Sequence, residues 1–222
     1  MLKYEYDRER VARVFDDIAR AKSDTGGQAT RLGKDIPQIA GQTAFGKLEL
    51  TREDVLLDVG TGTGDKAIAA ARICRRAIGI DVSNRSLERA RVKVGREGLD
   101  NVTLAYGAFE DPCAELDLAS RGITKILALY SLHHLPDQLK KESLTALARL
   151  LRRPGRMVIG DIMFFEDPEQ HSEEFDLVGY DAGDTDFPCP VECLTAWLEE
   201  MGAAVHAEQI HPLVGVVMAE FV

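Results

Sequence analysis

A glycine-rich loop joins an apolar run to an Ala-rich segment in LLDVGTGTGDKAIAAA, residues 56–71. Glycines let the backbone bend sharply and let a ligand approach without a Cβ in the way. The free N–H groups at the start of the next helix can then bind an acceptor atom of that ligand. Asp81 ends the next apolar run, 17 residues after Gly64, where its carboxylate can accept both hydroxyls of a ribose. Loop and acid together predict a ligand that contains a nucleoside.

The loop by itself leaves the type of nucleoside open. Residues 62–67, GTGDKA, satisfy the G-x-G-x-x-A form of the dinucleotide fingerprint. A pyrophosphate would bind at the start of the following helix, whereas an amino-acid ammonium group would favour a nearby acid. Asp58, just ahead of the glycines, could meet such an ammonium group or a water bound to it. A dinucleotide and an amino-acid-bearing nucleoside therefore both remain possible at this point.

His133 and His134 follow an apolar run at the expected carboxyl edge of the sheet, where ligands bind in open α/β sheets. An imidazole titrates near neutral pH and could take a proton from a hydroxyl of a substrate. These two histidines are the catalytic candidates, although either could instead hydrogen-bond to the backbone and shape the loop. Tyr130, just before them, is a candidate wall of the pocket.

No metal site is predicted. Cys189 and Cys193 stand four residues apart, without the two further close ligands that zinc needs. The acidic stretch after residue 163 could attract a hard cation, but a solvated surface explains it as well. Residues 41–47, GQTAFGK, imitate a P-loop, but Leu48 follows where Ser or Thr is required and no strand precedes it.

Apolar runs alternate with helical patterns from residue 50 onward. The predicted strands are Val55–Val59, Ala77–Asp81, Val102–Tyr106, Lys125–Tyr130 and Arg156–Asp161. The helices between them are predicted at Lys66–Arg76, at Ser86–Glu97 after a cap at Ser83 or Asn84, and at Asp137–Leu151. Nearly continuous apolar strands separated by such helices predict a parallel sheet that is covered on both faces.

The C-terminal part departs from this alternation. A helix at Cys193–Met201 is followed by strands at Ala204–Gln209 and Val214–Val222. Only about four residues join these strands, and a parallel crossover needs a dozen or more. The last two strands are therefore predicted to pair as an antiparallel hairpin at the end of a seven-stranded sheet.

One domain is predicted for residues 1–222, because the length suits a single large domain. Residues 1–50, with an amphipathic helix and a stretch rich in Gly, Thr and Gln, would form an N-terminal helical cap. Residues 51–163 would form the cofactor-binding core, and residues 189–222 the final helix and hairpin. Residues 164–188, acidic and rich in Phe, are long enough to form a lid.

These motifs resemble those of class I S-adenosylmethionine-dependent methyltransferases. DVGTGTG and IGIDVS are similar to the first two family motifs, and LAYGAFED, LALYSLHHLPD and LLRRPGRMVIGD follow in family order. LHHLPD is typical of the small-molecule branch that includes the ubiquinone and menaquinone methyltransferases. The resemblance covers roughly residues 52–165 and implies a Rossmann-like, doubly wound α/β fold, with the terminal hairpin also fitting.

The resemblance also implies cofactor-binding roles for particular residues. Glycines 60, 62 and 64 would line the methionine part of S-adenosylmethionine, Asp81 would hold the ribose, and Val82 would pack on the adenine. The full set of candidates is Asp58, Gly60, Thr61, Gly62, Thr63, Gly64, Asp81, Val82, Ala108, Phe109 and Tyr130. Family members often carry Asp where this chain has Ala108, so adenine recognition would fall to the backbone, to Phe109, or to Glu110 or Asp111.

Composition and charge limit the partners. Apolar residues make up 45% of the chain and the net charge is −10, so duplex DNA and long RNA are disfavoured. Residues 161–222 hold 15 acids and no Lys or Arg. The cover expected from residues 164–188 therefore has no positive side chain, which favours a neutral or cationic acceptor over a phosphorylated one. No run is long enough to span a bilayer, the first ten residues lack an apolar signal region, and four cysteines suit a reduced, cytoplasmic protein.

The predicted function is methyl transfer from S-adenosylmethionine to a small-molecule acceptor by in-line displacement, leaving S-adenosylhomocysteine. A sulfonium leaving group lets alignment alone supply most of the acceleration, so a general base is not required. A non-catalytic relative that binds the same cofactor is the alternative, and an NAD-dependent oxidoreductase is a weaker one. The oligomeric state is left open.

Overall fold

The computed structural model describes residues 6–24, 35–181 and 185–222. Its strands are β1 (Val55–Val59), β2 (Arg76–Asp81), β3 (Val102–Tyr106), β4 (Lys125–Leu129), β5 (Gly155–Ile162), β6 (Ala204–His211) and β7 (Val214–Phe221). They form one seven-stranded sheet in the order β3-β2-β1-β4-β5-β7-β6. Strands β1 to β5 are parallel, and β7 runs antiparallel to both β5 and β6. The predicted doubly wound fold and its terminal hairpin are confirmed.

The helices are α1 (Arg8–Asp24), α2 (Asp35–Lys47), α3 (Asp65–Ala71), α4 (Asn84–Glu97), α5 (Asp137–Leu150), α6 (Phe175–Val178) and α7 (Val191–Glu200). Helices α5 and α7 bury apolar residues against one face of the sheet, and α2 and α3 do so against the other. Because both faces are covered, all five residues of β1 are buried. Strand order reverses between β1 and β4, which places a ligand-binding crevice at their carboxyl ends.

Helix α3 is shorter than its predicted span of Lys66–Arg76. It ends at Ala71, and Arg76 already belongs to β2. The side-chain amide of Asn101 donates to the carbonyl oxygens of Ala71 (2.8 Å) and Cys74 (3.3 Å). These bonds satisfy carbonyls that the end of a helix leaves without partners. The pattern within residues 66–76 could not show where the helix ends, because Asn101 lies 30 residues after Ala71 in the sequence.

Strand β4 also ends earlier than predicted, at Leu129. Tyr130 adopts a left-handed backbone conformation, with φ of 48°, which a residue other than glycine rarely does. Its N–H still donates to the carbonyl of Gly160, at 2.9 Å. The chain then turns into one short 3₁₀ helix, Leu132–His134, at the edge of the sheet.

The N-terminal region contains α1, as predicted, and α2, which the prediction missed. Residues 41–47, the rejected P-loop imitation, lie within α2, which packs on β5 and β7. The predicted Gly-, Thr- and Gln-rich stretch falls mostly at residues 25–34, outside the described residues, as do residues 1–5. The tight packing of α2 is visible at Gly160, where an added Cβ would lie 2.9 Å from the Cβ of Ala44.

The insertion after β5 forms a 3₁₀ helix, Pro168–Glu174, followed by α6. Its apolar residues pack with the start of α2 and with the β6–β7 end of the sheet. Residues 182–184 of this insertion lie outside the described residues. Of the helices in the described parts of the chain, none is both long and apolar enough for a membrane crossing.

Substitution of Gly79 tests how tightly β2 supports the glycine loop. A Cβ at this position would lie 2.7 Å from Oγ1 of Thr61 and 2.9 Å from Leu104, so Gly79→Ala should lower the free energy of unfolding by about 1–3 kcal/mol. Gly95→Ala is the control, because Gly95 lies in α4 with open space around its Cβ position. This variant should raise the free energy of unfolding by about 0.5–1 kcal/mol. Urea unfolding followed by circular dichroism measures both. Equal stability of the two variants would contradict the tight contact at Gly79.

Candidate active site

One cavity of about 350 Å³ lies at the carboxyl ends of β1, β2, β3 and β4. Nine of the predicted site residues line it: Gly60, Gly62, Thr63, Asp81, Val82, Ala108, Phe109, Tyr130 and His134. Asp58, Thr61, Gly64 and His133 are not among its lining residues. The structure therefore brings most of the predicted residues together in one cavity and places four of them behind its walls.

The glycine loop turns sharply where β1 meets the cavity. Gly60 has φ of 74°, and an added Cβ there would lie 2.5 Å from the Cβ of Ser131. Gly62 has φ of 55°, but nothing lies within 4 Å of its Cβ position. Glycine is thus required at position 60 because a side chain would collide with Ser131. At position 62 the absence of a side chain leaves open space where the backbone lines the cavity.

Asp81, at the end of β2, is 8% exposed and lines the cavity. Its carboxylate accepts the backbone N–H of Gly62 at 2.7 Å and that of Ser83 at 2.8 Å. Burial raises the pKa of Asp81, and these two hydrogen bonds oppose that rise. The backbone of Val82 also hydrogen-bonds to this carboxylate, so of its roughly four acceptor positions at least one remains for a ligand hydroxyl.

Asp58 supports the loop from below the cavity. Its buried carboxylate accepts the Thr61 hydroxyl at 2.6 Å. Burial raises the pKa of Asp58 to about 6, and the charge of Asp81 adds to the rise, while the Thr61 bond and Lys66 oppose it. Nζ of Lys66 also donates to the carbonyl of Gly41 at 3.0 Å, which links α3 to α2.

The residues that follow β3 form one end of the cavity and include Glu110, whose carboxylate has an oxygen without a hydrogen-bond partner. Ala108 and Phe109 are buried there, and Glu110 follows them in the wall. Oε1 of Glu110 accepts the hydroxyl of Tyr6 at 3.1 Å, whereas Oε2 is buried without a hydrogen-bond partner. An unpaired buried carboxylate oxygen is costly, so a donor from a bound ligand would stabilise it.

Helix α1 forms the outer wall of the cavity. It contributes Val11, Phe15, Ile18 and Ala19. It docks through Asp16, which accepts the Ser83 hydroxyl at 2.6 Å, and through the Ala19 carbonyl, which accepts from Arg89 at 2.6 Å. This position agrees with the helical cap expected of the N-terminal residues, whereas sequence analysis missed Ser86 and Arg89, which α4 adds to the wall.

Tyr130, His134 and Phe15 form an aromatic end of the cavity. The rings of Phe15 and His134 meet edge to face, with centroids 5.0 Å apart. The hydroxyl of Tyr130 is buried without a hydrogen-bond partner, and burial raises its pKa, so the phenol is neutral at physiological pH. This end therefore offers an uncommitted hydroxyl and one imidazole beside apolar surfaces.

The two predicted catalytic histidines have different surroundings. His133 is buried, and its Nδ1 bonds to the carboxylate of Asp161, which also accepts the backbone N–H of Leu132 at 2.8 Å. Burial alone would lower the pKa of His133, but the Asp161 charge and hydrogen bond raise it. Because His133 does not line the cavity, it holds the turn. Direct contact with a substrate remains a prediction for His134 only.

The acidic insertion does not line the cavity in the parts that the structure describes, residues 164–181 and 185–188. It reaches the site indirectly, because Asp186 contacts Nδ1 of His134 at 3.0 Å from behind. The carbonyl of Thr185 also lies 3.2 Å from Nδ1 of His134, so the end of the insertion supports the histidines without lining the cavity, and α1 provides the cover.

A family model described as a methyltransferase domain matches residues 50–202 of the chain. This range begins just before β1 and includes the glycine loop, Asp81, both histidines and α7. It covers the sheet from β1 to β5 and the insertion, so the match extends over most of the described cavity.

Two curated relatives are similar to parts of the chain. A 27-O-demethylrifamycin SV methyltransferase of Amycolatopsis mediterranei is 33% identical over 125 residues, 55% of this chain and 44% of the relative. A demethylmenaquinone methyltransferase of Bacteroides fragilis is 30% identical over 154 residues, 68% of this chain and 59% of the relative. The chain thus spans about half the length of these relatives.

A crystal structure of magnesium protoporphyrin IX methyltransferase from Synechocystis, with bound S-adenosylhomocysteine, has a similar fold. The TM-score is 0.72 over 97% of this chain and all of that chain, at 15% sequence identity. At this identity the similarity establishes the fold, and function must be argued from the site.

The buried Asp58 predicts a pH-dependent stability. Its pKa is about 6 in the folded protein against an ordinary value of 3.8, so the folded state binds the proton more tightly. The stabilisation is complete below about pH 4 and is lost as the pH rises through 6. Between pH 4 and 7.5, the free energy of unfolding of wild type should fall by about 2–3 kcal/mol more than that of Asp58→Asn.

Urea unfolding at several pH values measures this difference. Asp100→Asn is the matched control, because this residue is exposed in the loop before β3 and should leave the pH dependence of wild type unchanged. A constant difference between wild type and Asp58→Asn across this range would show that Asp58 titrates normally.

Proposed function

The chain belongs to the methyltransferase-domain family, and we propose that it transfers a methyl group from S-adenosylmethionine to a small-molecule acceptor by in-line displacement. The observation that carries the proposal is the meeting of Gly62 and Asp81 in one cavity at the point where strand order reverses. The names of the relatives agree with this class of reaction.

The residues of the cavity suit the parts of this cofactor. The acceptor capacity that remains on the Asp81 carboxylate suits a ribose hydroxyl. Val82 and Phe109 offer apolar surfaces for a purine, and the open space beside Gly62 allows a close approach of the amino-acid part. Asp58 and Thr61 would act by holding the loop, since neither lines the cavity.

Glu110 would replace the carboxylate that is absent at Ala108. An exocyclic amino group of adenine is a donor, and Oε2 of Glu110 is a buried acceptor without a partner in the cavity wall. Tyr6 holds the other oxygen of Glu110, and Arg8 lies 3.7 Å away. We therefore assign adenine recognition to Glu110, supported by packing on Phe109.

The aromatic end would receive the acceptor. The bound cofactor supplies an activated methyl group on a cationic sulfur, which is a good leaving group, so the protein mainly has to align the two reactants. Phe15 and Tyr130 would hold the acceptor and exclude water, and the free hydroxyl of Tyr130 can hydrogen-bond to it. His134 is placed to take a proton where the acceptor is a hydroxyl.

The acceptor is proposed to be neutral or cationic. Among the described lining residues, Arg89 contributes a permanent positive charge, and its guanidinium is bonded to the carbonyl of Ala19. The aromatic end itself has no Lys or Arg in its lining, and Asp186 lies behind His134. A phosphorylated acceptor would find no unengaged cation there.

Incubation with methyl-labelled S-adenosylmethionine and a metabolite extract tests the function. Mass spectrometry should find the label in a small, uncharged or cationic product, and Asp81→Asn should abolish the transfer. A labelled polyphosphate or nucleic acid would contradict the proposed acceptor class. Tight binding of S-adenosylhomocysteine without transfer to any extract would identify a non-catalytic relative, and tight binding of NAD alone would favour an oxidoreductase.

The role of Glu110 predicts a change of base preference. S-inosylhomocysteine carries an oxygen in place of the adenine amino group, so wild type should bind it about 10- to 100-fold more weakly than S-adenosylhomocysteine. Glu110→Gln should weaken S-adenosylhomocysteine binding about tenfold. It should also reduce the difference in affinity between the two compounds, because the Gln amide can donate a hydrogen bond to the base oxygen of S-inosylhomocysteine. Isothermal titration calorimetry measures the four dissociation constants.

Asp111→Asn is the matched control, since Asp111 is half exposed and pairs with Arg8. It should keep the preference of wild type for the adenine compound. Wild-type affinity of Glu110→Gln for S-adenosylhomocysteine would rule out Glu110 as the adenine acceptor. Failure of wild type to bind either compound would instead contradict the proposed cofactor.

A further inference from the structure

Three side chains of the kind that bind transition metals meet behind the aromatic end of the cavity. They are His133, His134 and Asp186, and their ligand atoms all lie within 4.8 Å of one another. Oδ1 of Asp186 is 3.5 Å from Nε2 of His133 and 3.0 Å from Nδ1 of His134. The two histidines are adjacent in the sequence, but Asp186 comes from the end of the insertion.

The two separations that involve Asp186 fit a four-coordinate ion. Zinc binds imidazole nitrogen and carboxylate oxygen at about 2.0–2.2 Å, so two ligand atoms of a tetrahedral site lie about 3.4 Å apart. The observed 3.0 and 3.5 Å bracket that value. Imidazoles and a carboxylate are also the ligand types that Zn²⁺ prefers.

The orientation of His133 is fixed as metal ligands usually require. Its Nδ1 bonds to Asp161, which leaves Nε2 on the side of Asp186. Asp161 is itself held by the backbone N–H groups of Leu132 and Ile162, both at 2.8 Å. A carboxylate that orients a metal-binding histidine in this way is a regular feature of metal sites.

The cluster is protected from solvent on all but one side. The side chains of His133 and Asp186 are each 4% exposed, and that of His134 is 12% exposed and lines the cavity. An ion and a fourth ligand would therefore reach the cluster from the cavity. The same two segments are also joined by the N–H of Phe187, which donates to the carbonyl of His133 at 2.6 Å.

We propose that His133, His134 and Asp186 bind a divalent transition-metal ion of the zinc type. The ion would tie the end of the insertion to the turn at residues 132–134 and would fix the position of His134 in the cavity wall. With Nδ1 on the ion, His134 carries its proton on Nε2, so in the metal-bound protein it donates a hydrogen bond to the acceptor and does not take a proton. The charge of the ion would offset the buried carboxylates of Asp161 and Asp186. In the metal-free state, a protonated His133 is shared between these two carboxylates with Lys140 nearby, and Nδ1–H of His134 donates to the Thr185 carbonyl at 3.2 Å. That state is what the experiment has to exclude.

Titration of chelator-treated protein with ZnCl₂ tests the site directly. Wild type should bind one Zn²⁺ per chain, with a rise in thermal stability. Asp186→Asn removes a ligand, and we expect at least about a 100-fold loss of affinity, since even changes to supporting residues cost about 10- to 100-fold. His206→Gln is the matched control, because it removes an exposed imidazole on β6 and should leave binding intact.

His134→Gln provides a second ligand variant in case Asp186→Asn does not fold, and it should lose Zn²⁺ to a similar extent. Substitution by Co²⁺ should give wild type the visible absorption of four-coordinate cobalt, and His134→Gln should lack it. Absence of stoichiometric uptake by folded wild type, or equal uptake by wild type and both ligand variants, would overturn the proposal. Loss of binding in His206→Gln alone would also overturn it, by showing surface binding only.

Discussion

Buried carboxylates at the carboxyl ends of the strands hold the loops that form the cavity. Asp58 lies near the end of β1 with 2% exposure, Asp81 ends β2 with 8%, and Asp161 lies near the end of β5 with 2%. Burying such a charge is costly unless it is hydrogen-bonded, so each acid draws nearby donors toward it. Asp58 fixes the glycine loop, Asp81 joins that loop to the start of α4, and Asp161 gathers the turn that carries both histidines. The glycine loop, the start of α4 and the histidine turn therefore all depend on hydrogen bonds to a buried carboxylate.

Helix α1 completes a site that the sheet leaves open. Its contacts reach both ends of the cavity, with Phe15 beside His134 and Tyr6, just before the helix, bonded to Glu110. A ligand that hydrogen-bonds to Glu110 would thus act on the residue that anchors the start of this cover. Because closure excludes water and strengthens electrostatic interactions inside, the cover and the cofactor end are expected to work together.

The described part of the insertion contacts the two histidines on the side away from the cavity and does not cover the cavity itself. Asp186 contacts His133 and His134, while the rest of the described insertion packs with α2 and the hairpin end of the sheet. Of two adjacent histidines, one is held by Asp161 inside the fold and the other faces the cavity. The left-handed backbone of Tyr130 immediately before this turn gives the segment its direction away from β4.

The sequence by itself determined the α/β class, the strand and helix order, the terminal hairpin and the glycine loop with Asp81. These features rest on local rules of periodicity, connection length and glycine spacing, which do not depend on distant residues. Local rules missed α2 and placed the end of α3 too late, because packing on β5 and β7 and a bond from Asn101 decide them. Only the tertiary structure decided that His134 rather than His133 lines the cavity, and that Glu110 rather than Asp111 does so. Each of these depends on which distant residues meet, and that is set by how the elements pack against one another.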